Sequence, residues 1–289
     1  MSTFQVSSPI DLMRQILESK VYDTKQKKNI TIQQYMEDDI KDLQSIRANP
    51  SQDEKFAFFL CELLRRGQGT IFEQGREENF RKQFKPSKIP DLDVRRIELR
   101  GKGTSEKMIR ILKEKCELKK LNFLLDLVAK YRWGSGIAAF VIIGTQYVIT
   151  HEYGGFEKYL KIANTKHEED FQKDKLLSKK DDGITYVGPK VRDLALCSFL
   201  NNYLAVDRLV KTALLRTGML IHMYKYGIKV ESMDDYWGIH ALCIRLAKNA
   251  RMKPCMFDKA LWNFVKKFCN PTYNKGCGNC SVYLCLSHP

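Results

Sequence analysis

The chain has 289 residues, enough for one large or two small domains with a substantial core. Its 49 Lys and Arg against 34 Asp and Glu leave a formal charge of +15, which favours a polyanionic partner because each neutralised phosphate releases counterions. The longest apolar run, residues 137–143, is far short of a bilayer span, and four of the nine cysteines crowd the last 21 residues, which argues for a local metal site over a disulfide framework.

The opening stretch MSTFQVSSPIDLMRQ carries no apolar core of signal-peptide length. The expected setting is cytoplasmic and nucleoid-associated in a prokaryote, or nuclear in a eukaryote, with no membrane attachment. Residues 56–64 read as a buried helix that stops at the breaker cluster Gly67-Gln68-Gly69. Residues 105–130 carry apolar positions at helical spacing, split near 117–119 into two helices, and their Lys- and Arg-rich side reads as a solvated face. After Gly134-Ser135-Gly136 the run 137–143 is a helix or a strand; the lack of alternating strand-like segments elsewhere favours a helix. Residues 164–182 are polar and charged, as in an exposed helix and loop. The fold class expected is all-α.

Residues 184–200 read ITYVGPKVRDLALCSFL. Val191, Leu194, Ala195, Ser198 and Phe199 form an apolar stripe at helical spacing. Pro189 suits the first helical position, where a missing N–H is no loss. Gly188 permits a tight turn and close approach of another backbone, and the N–H groups at such a helix start form an anion site. A second helix follows in LAVDRLVKTALLRTG, with Asp207 where an N-cap belongs. Lys190 lies 17 residues before Asp207. A lysine amine becomes a nucleophile once desolvation and cationic neighbours free its lone pair, and a carboxylate beside it accepts a proton or stabilises positive charge developing on a sugar.

The C-terminal tail carries Cys269, Cys277, Cys280 and Cys285 at the spacing C-x7-C-x2-C-x4-C. Gly276 and Gly278 give the turn freedom that a Cys-x2-Cys knuckle needs. Four thiolates suit either a tetrahedral zinc ion or a cubane iron–sulfur cluster. Lys266, Lys267 and Lys275 flank the cysteines and would turn the loop towards a phosphate backbone.

Together the segments YVGPKVRDLAL and LAVDRLVKTALLRTG resemble the helix–hairpin–helix–Gly/Pro–Asp signature of the endonuclease III and 8-oxoguanine glycosylase superfamily of DNA glycosylases. The family hairpin usually reads Leu-Pro-Gly-Val-Gly; here Tyr186 stands at the first glycine, and the frequent V-D-T-H becomes Val206-Asp207-Arg208-Leu209. Many members end in C-x6-C-x2-C-x5-C around a 4Fe–4S cluster, so one residue has moved between gaps here while the span is unchanged.

The resemblance implies a two-lobed helix–hairpin–helix glycosylase fold with a DNA groove between the lobes. Residues 1–55 plus 207–289 would form one lobe, and residues 56–206 the central helical domain. It implies Lys190 as Schiff-base nucleophile, Asp207 as catalytic aspartate, and Gly188 and Val187 as hairpin contacts to DNA. Gln68 would be the residue that fills the gap left by an extruded base, and Cys269, Cys277, Cys280 and Cys285 would hold a 4Fe–4S cluster, with zinc as the alternative. The expected protein is a monomeric glycosylase with AP lyase activity on double-stranded DNA containing a damaged or modified base, an oxidised pyrimidine first. Two other readings use the same residues: a non-catalytic helix–hairpin–helix module in which Lys190 contacts phosphate, or a zinc-dependent DNA-binding module.

Overall fold

A computed structural model describes residues 8–23, 27–37, 51–64, 76–97, 104–129, 131, 134–165, 172–177 and 183–269. The protein is mostly helical, and among the described residues the sheet content is one antiparallel pair of strands. The chain divides into two compact units, Met1–Ser45 with Asn201–Pro289, and Ile46–Leu200. The sequence expectation placed its divisions at 55/56 and 206/207; the compact units divide at 45/46 and 200/201. Among the described residues no helix is long and apolar enough to cross a membrane.

In the first unit, helix α1 (Pro9–Glu18) starts where the Ser8 hydroxyl accepts the Asp11 N–H at 3.2 Å, with Pro9 in the first turn. Its buried side is Leu12, Met13 and Ile16. Strands β1 (Lys20–Asp23) and β2 (Lys28–Thr31) pair with Val21 opposite Ile30, and both side chains enter the core. The sequence reading contained no strand, and the reason is length: each strand turns a single apolar residue inward, too little for an alternation to register.

Helices α9 (Arg208–Thr217), the short α10 (His222–Tyr226), α11 (Tyr236–Asn249) and α12 (Pro254–Phe264) follow in this unit. Val210, Ala213 and Leu214 of α9, Leu242, Cys243 and Leu246 of α11, and Phe257, Leu261 and Phe264 of α12 share one core with α1 and the strands. Gly218 ends α9 in the left-handed region at φ 73°, a conformation that costs a side-chain-bearing residue.

The second unit is built on α2 (Gln52–Leu64) and α6 (Ser135–His151). Helix α2 is buried continuously from Phe56 to Leu64, and Phe56, Phe59, Phe156, Tyr159 and Phe199 form one aromatic cluster around it. The run 137–143 lies within α6, as a helix buried on nearly all sides. Between them come α3 (Arg76–Gln83), α4 (Ser105–Lys115) and α5 (Leu118–Leu127), the last two broken at Cys116 and Glu117. Helices α7 (Phe156–Thr165) and α8 (Pro189–Cys197) follow, and α8 packs on α2.

Helix α4 meets the start of α6 so closely that a Cβ on Gly136 would overlap the Ser105 carbonyl oxygen, and the Gly136 N–H donates to Ser105 Oγ at 3.0 Å. Both elements would have to separate to admit a methyl group. Gly136→Ala is expected to lower unfolding free energy by about 1–3 kcal/mol, read as a reduced urea midpoint with an unchanged slope.

Candidate functional site

The hairpin expected before Lys190 is a tight turn. The Val187 N–H donates to the Ile184 carbonyl at 3.0 Å, and Ile184 reaches back to the Leu176 carbonyl at 3.3 Å. Ile184 and Val187 are buried, so the contact expected of Val187 would have to come from its main chain. Tyr186 has φ 78°. This left-handed conformation favours glycine, and it falls at the position where the family pattern has one. The turn therefore keeps a glycine-like backbone while carrying an aromatic side chain.

Gly188 follows at φ −86° and ψ 170°, a conformation open to any residue, and among the described residues a Cβ there would meet nothing within 4 Å. Neither the backbone nor packing against the described residues requires this glycine. Helix α8 begins at Pro189, and the Val191 and Arg192 N–H groups both turn back to the Gly188 carbonyl at 3.1 Å. Pro189 has no N–H, so at the helix start the Lys190 N–H is left without an intrahelical acceptor.

Lys190 lies in this first turn, half-buried. Among the described residues its ammonium has neither an ion-pair nor a hydrogen-bond partner. What holds it in place is the opposite side of the helix. Arg192, about 200° further round, is almost wholly buried between two carboxylates: Nη2 lies 2.6 Å and Nε 2.7 Å from Asp193 Oδ1, and Nη1 lies 3.6 Å from Asp174 Oδ2. Tyr153 and Tyr159 donate their hydroxyls to Asp174 at 2.7 and 2.8 Å, and the Leu176 N–H donates to it at 2.9 Å.

Burial works against the Arg192 charge, but Asp193 and Asp174 more than offset it, so its pKa is raised. Burial first, then the Asp174 charge, raises both tyrosine pKa values, and both phenols stay protonated donors. The cluster corrects two expectations. Of the expected stripe, Ala195 and Ser198 are buried while Val191, Leu194 and Phe199 are half-buried, and the deep face of α8 also carries the charged pair Arg192 and Asp193. Within the stretch expected to be an exposed loop, Asp174, Leu176 and Leu177 are buried, because Asp174 is the counter-ion that lets Arg192 leave water.

Asp207 caps α9: its Oδ1 accepts the Val210 N–H at 2.9 Å, while among the described residues Oδ2 has no partner. The four residues before it, Tyr203 to Val206, are buried without regular secondary structure. Their main chain is tied down from two helices. The Ala205 N–H donates to Asp258 Oδ2 of α12 at 3.0 Å, and His240 of α11 lies against the Leu204 backbone. Burial drives the His240 pKa down to about 4, the Leu204 contact pulling the other way, so its ring is neutral at pH 7. Lys190 belongs to the second compact unit and Asp207 to the first.

Of the four tail cysteines, Cys269 is described: it is buried at the end of a π-helical turn, Val265–Cys269, and its carbonyl accepts from Arg216 Nη1 at 3.1 Å. Cys277, Cys280, Cys285 and Gln68 lie outside the described residues. Among the described residues no group of three or more His, Cys, Asp or Glu is disposed to hold a metal ion. A buried thiol anchored through its own main chain suits one corner of a four-thiolate site of either kind. Sequence reasoning missed Asp174, Arg192, Asp193 and Asp258. For the adjacent pair there was a signal, an Arg-Asp dipeptide inside the otherwise apolar VRDLALCSF. The chain matches no protein-family model, no curated protein and no solved structure.

Two outcomes follow for stability. Arg192→Met strands two buried carboxylates and should cost about 3–5 kcal/mol, whereas adding Asp193→Leu should return part of that loss; a double-mutant cycle in urea measures both. His240 is neutral when folded and titrates near 6.5 when unfolded. The unfolded chain therefore binds the extra proton first, and stability present above pH 6.5 falls as the pH drops towards 4, by up to about 3 kcal/mol. His240→Leu should flatten that part of the stability–pH curve.

Proposed function

We propose that the chain is a bifunctional DNA N-glycosylase and AP lyase of the helix–hairpin–helix–Gly/Pro–Asp type, acting on double-stranded DNA that carries a damaged or modified base. The observation that carries this reading is Lys190. It is a half-buried amine without a partner among the described residues, set in the first turn of a helix whose opposite face is locked by buried charge. A lysine kept for a surface ion pair would not be arranged this way. The glycine-like backbone of Tyr186, the absence of any described residue within 4 Å of a Cβ at Gly188, and the capping geometry of Asp207 support the same reading.

The damaged nucleotide is extruded from the stack at a cost of about a few kcal/mol, least for a damaged base. The Gly188 turn and the Lys190 N–H at the start of α8 receive a backbone phosphate. The Lys190 amine attacks deoxyribose C1′, a C1′–N bond forms, and the bond to the base breaks with its electron pair leaving on the base. Asp207 would assist as the carboxylate that takes up a proton and stabilises positive charge on the sugar. Opening of the ring leaves a Schiff base at C1′. Loss of a C2′ proton then expels the 3′ phosphate and cuts the strand.

An oxidised pyrimidine is the first substrate to test. Cys269, Cys277, Cys280 and Cys285 would hold the 4Fe–4S cluster, whose contribution is to fold the tail into a fixed basic loop.

Borohydride should trap a covalent adduct between the protein and a duplex containing an abasic site, and Lys190→Ala should abolish it. Asp207→Asn should slow single-turnover excision by about 10²–10⁴-fold. No adduct from the native protein, or full trapping by Lys190→Ala, would leave a binding module as the better reading. Purified protein should carry a broad visible absorbance band that Cys277→Ser removes; a colourless protein with bound zinc would replace the cluster, since zinc has no such transitions.

A further inference from the structure

A buried chain segment outside helix and sheet has to find partners for its main-chain groups elsewhere, and residues 203–206 are such a segment. They run directly into Asp207, whose own backbone is extended at φ −104° and ψ −179°. There is no regular ladder to set where Asp207 begins. The Ala205 N–H, two residues upstream, is held by Asp258 Oδ2 at 3.0 Å. Asp258 is 8% exposed and sits on α12 among Phe257, Ala260 and Leu261 of the core.

Its negative charge reaches further than this one bond. The buried Cys243 thiol on α11 has a raised pKa, by burial first and by the Asp258 charge second. A carboxylate in such surroundings is costly unless its oxygens are well bonded. The Ala205 N–H is one of the groups that satisfy it.

We infer that Asp258 is a positioning residue for Asp207, acting through the Ala205 main chain. This rests on the glycosylase and lyase reading above. In an extended segment residues two apart lie on one side, so a shift of Ala205 passes to the start of α9 with little attenuation. A misplacement of about 1 Å in a reacting group costs about 10²-fold in rate. Asp258 itself touches neither sugar nor base.

The test compares Asp258→Ala, which removes the acceptor, with Asp258→Asn, which keeps an amide oxygen for the Ala205 N–H. Full-length protein is assayed on an oxidised-pyrimidine duplex under single-turnover conditions. Duplex affinity and borohydride trapping on a preformed abasic site are measured alongside. Asp258→Ala should slow excision between about tenfold and a hundredfold, with duplex affinity unchanged and trapping reduced less than excision. Asp258→Asn should recover the native rate to within about threefold.

Native-rate excision by Asp258→Ala overturns the inference, as does a parallel loss of affinity, trapping and excision in both variants, which marks a purely structural contact. If Asp258→Ala does not fold, Asp258→Glu takes its place: it keeps the charge but lengthens the reach by a methylene, and a native rate from it also overturns the inference. Failure of the native protein to excise or trap counts against the glycosylase reading, whereas an active native protein with indifferent variants counts against Asp258 alone.

Discussion

A guanidinium that has left water must keep its counter-ions, and Arg192 has left water almost completely. That obligation organises much of the second unit. It draws Asp174 out of a polar connecting segment, recruits the hydroxyls of Tyr153 and Tyr159, and pins α8 by its charged side against the body of the unit. Lys190 faces away from all of this because it is two residues from Arg192 on a helix. The amine without a partner among the described residues and the cation held by two carboxylates are nearly adjacent in sequence, and helical geometry gives them opposite surroundings.

The first unit solves a related problem with a carboxylate. Tyr203 to Val206 cross the interior without a strand partner, and Asp258 and His240 supply contacts that a sheet would otherwise have made. Both units thus place a buried ionisable group beside an irregular or tightly turned segment. In each case the segment leads within a few residues to one of the two side chains singled out for chemistry. Stability argues against burying charge; definition of a local conformation argues for it.

Local rules were enough to read much of this from the sequence. Pro189 at a helix start, Asp207 as an N-cap and the helices around 56–64, 105–127 and 137–143 all follow from propensity, capping and period, which act over a few residues. The same rules misread what depends on distant partners. The stripe at Val191 and Leu194 looked like the inward face because apolar residues usually are. Ala195 and Ser198 of that stripe are buried, but the inward face also holds Arg192 and Asp193, with Asp174 from a separate segment as the second counter-ion. Asp258 was illegible for the same reason, since its partner is a main-chain N–H that no side-chain pattern announces. The short strands failed on length, with one inward residue each.

Tyr186 has one more consequence. A glycine in the left-handed region makes a turn that a short peptide visits unaided; a tyrosine there does not, because local sterics work against it by about 1–3 kcal/mol. The hairpin must therefore borrow its shape from the buried Ile184 and Val187 on either side of it. It is not a portable cassette. Transplanted into another helical scaffold without those anchors, the same residues would lose the turn.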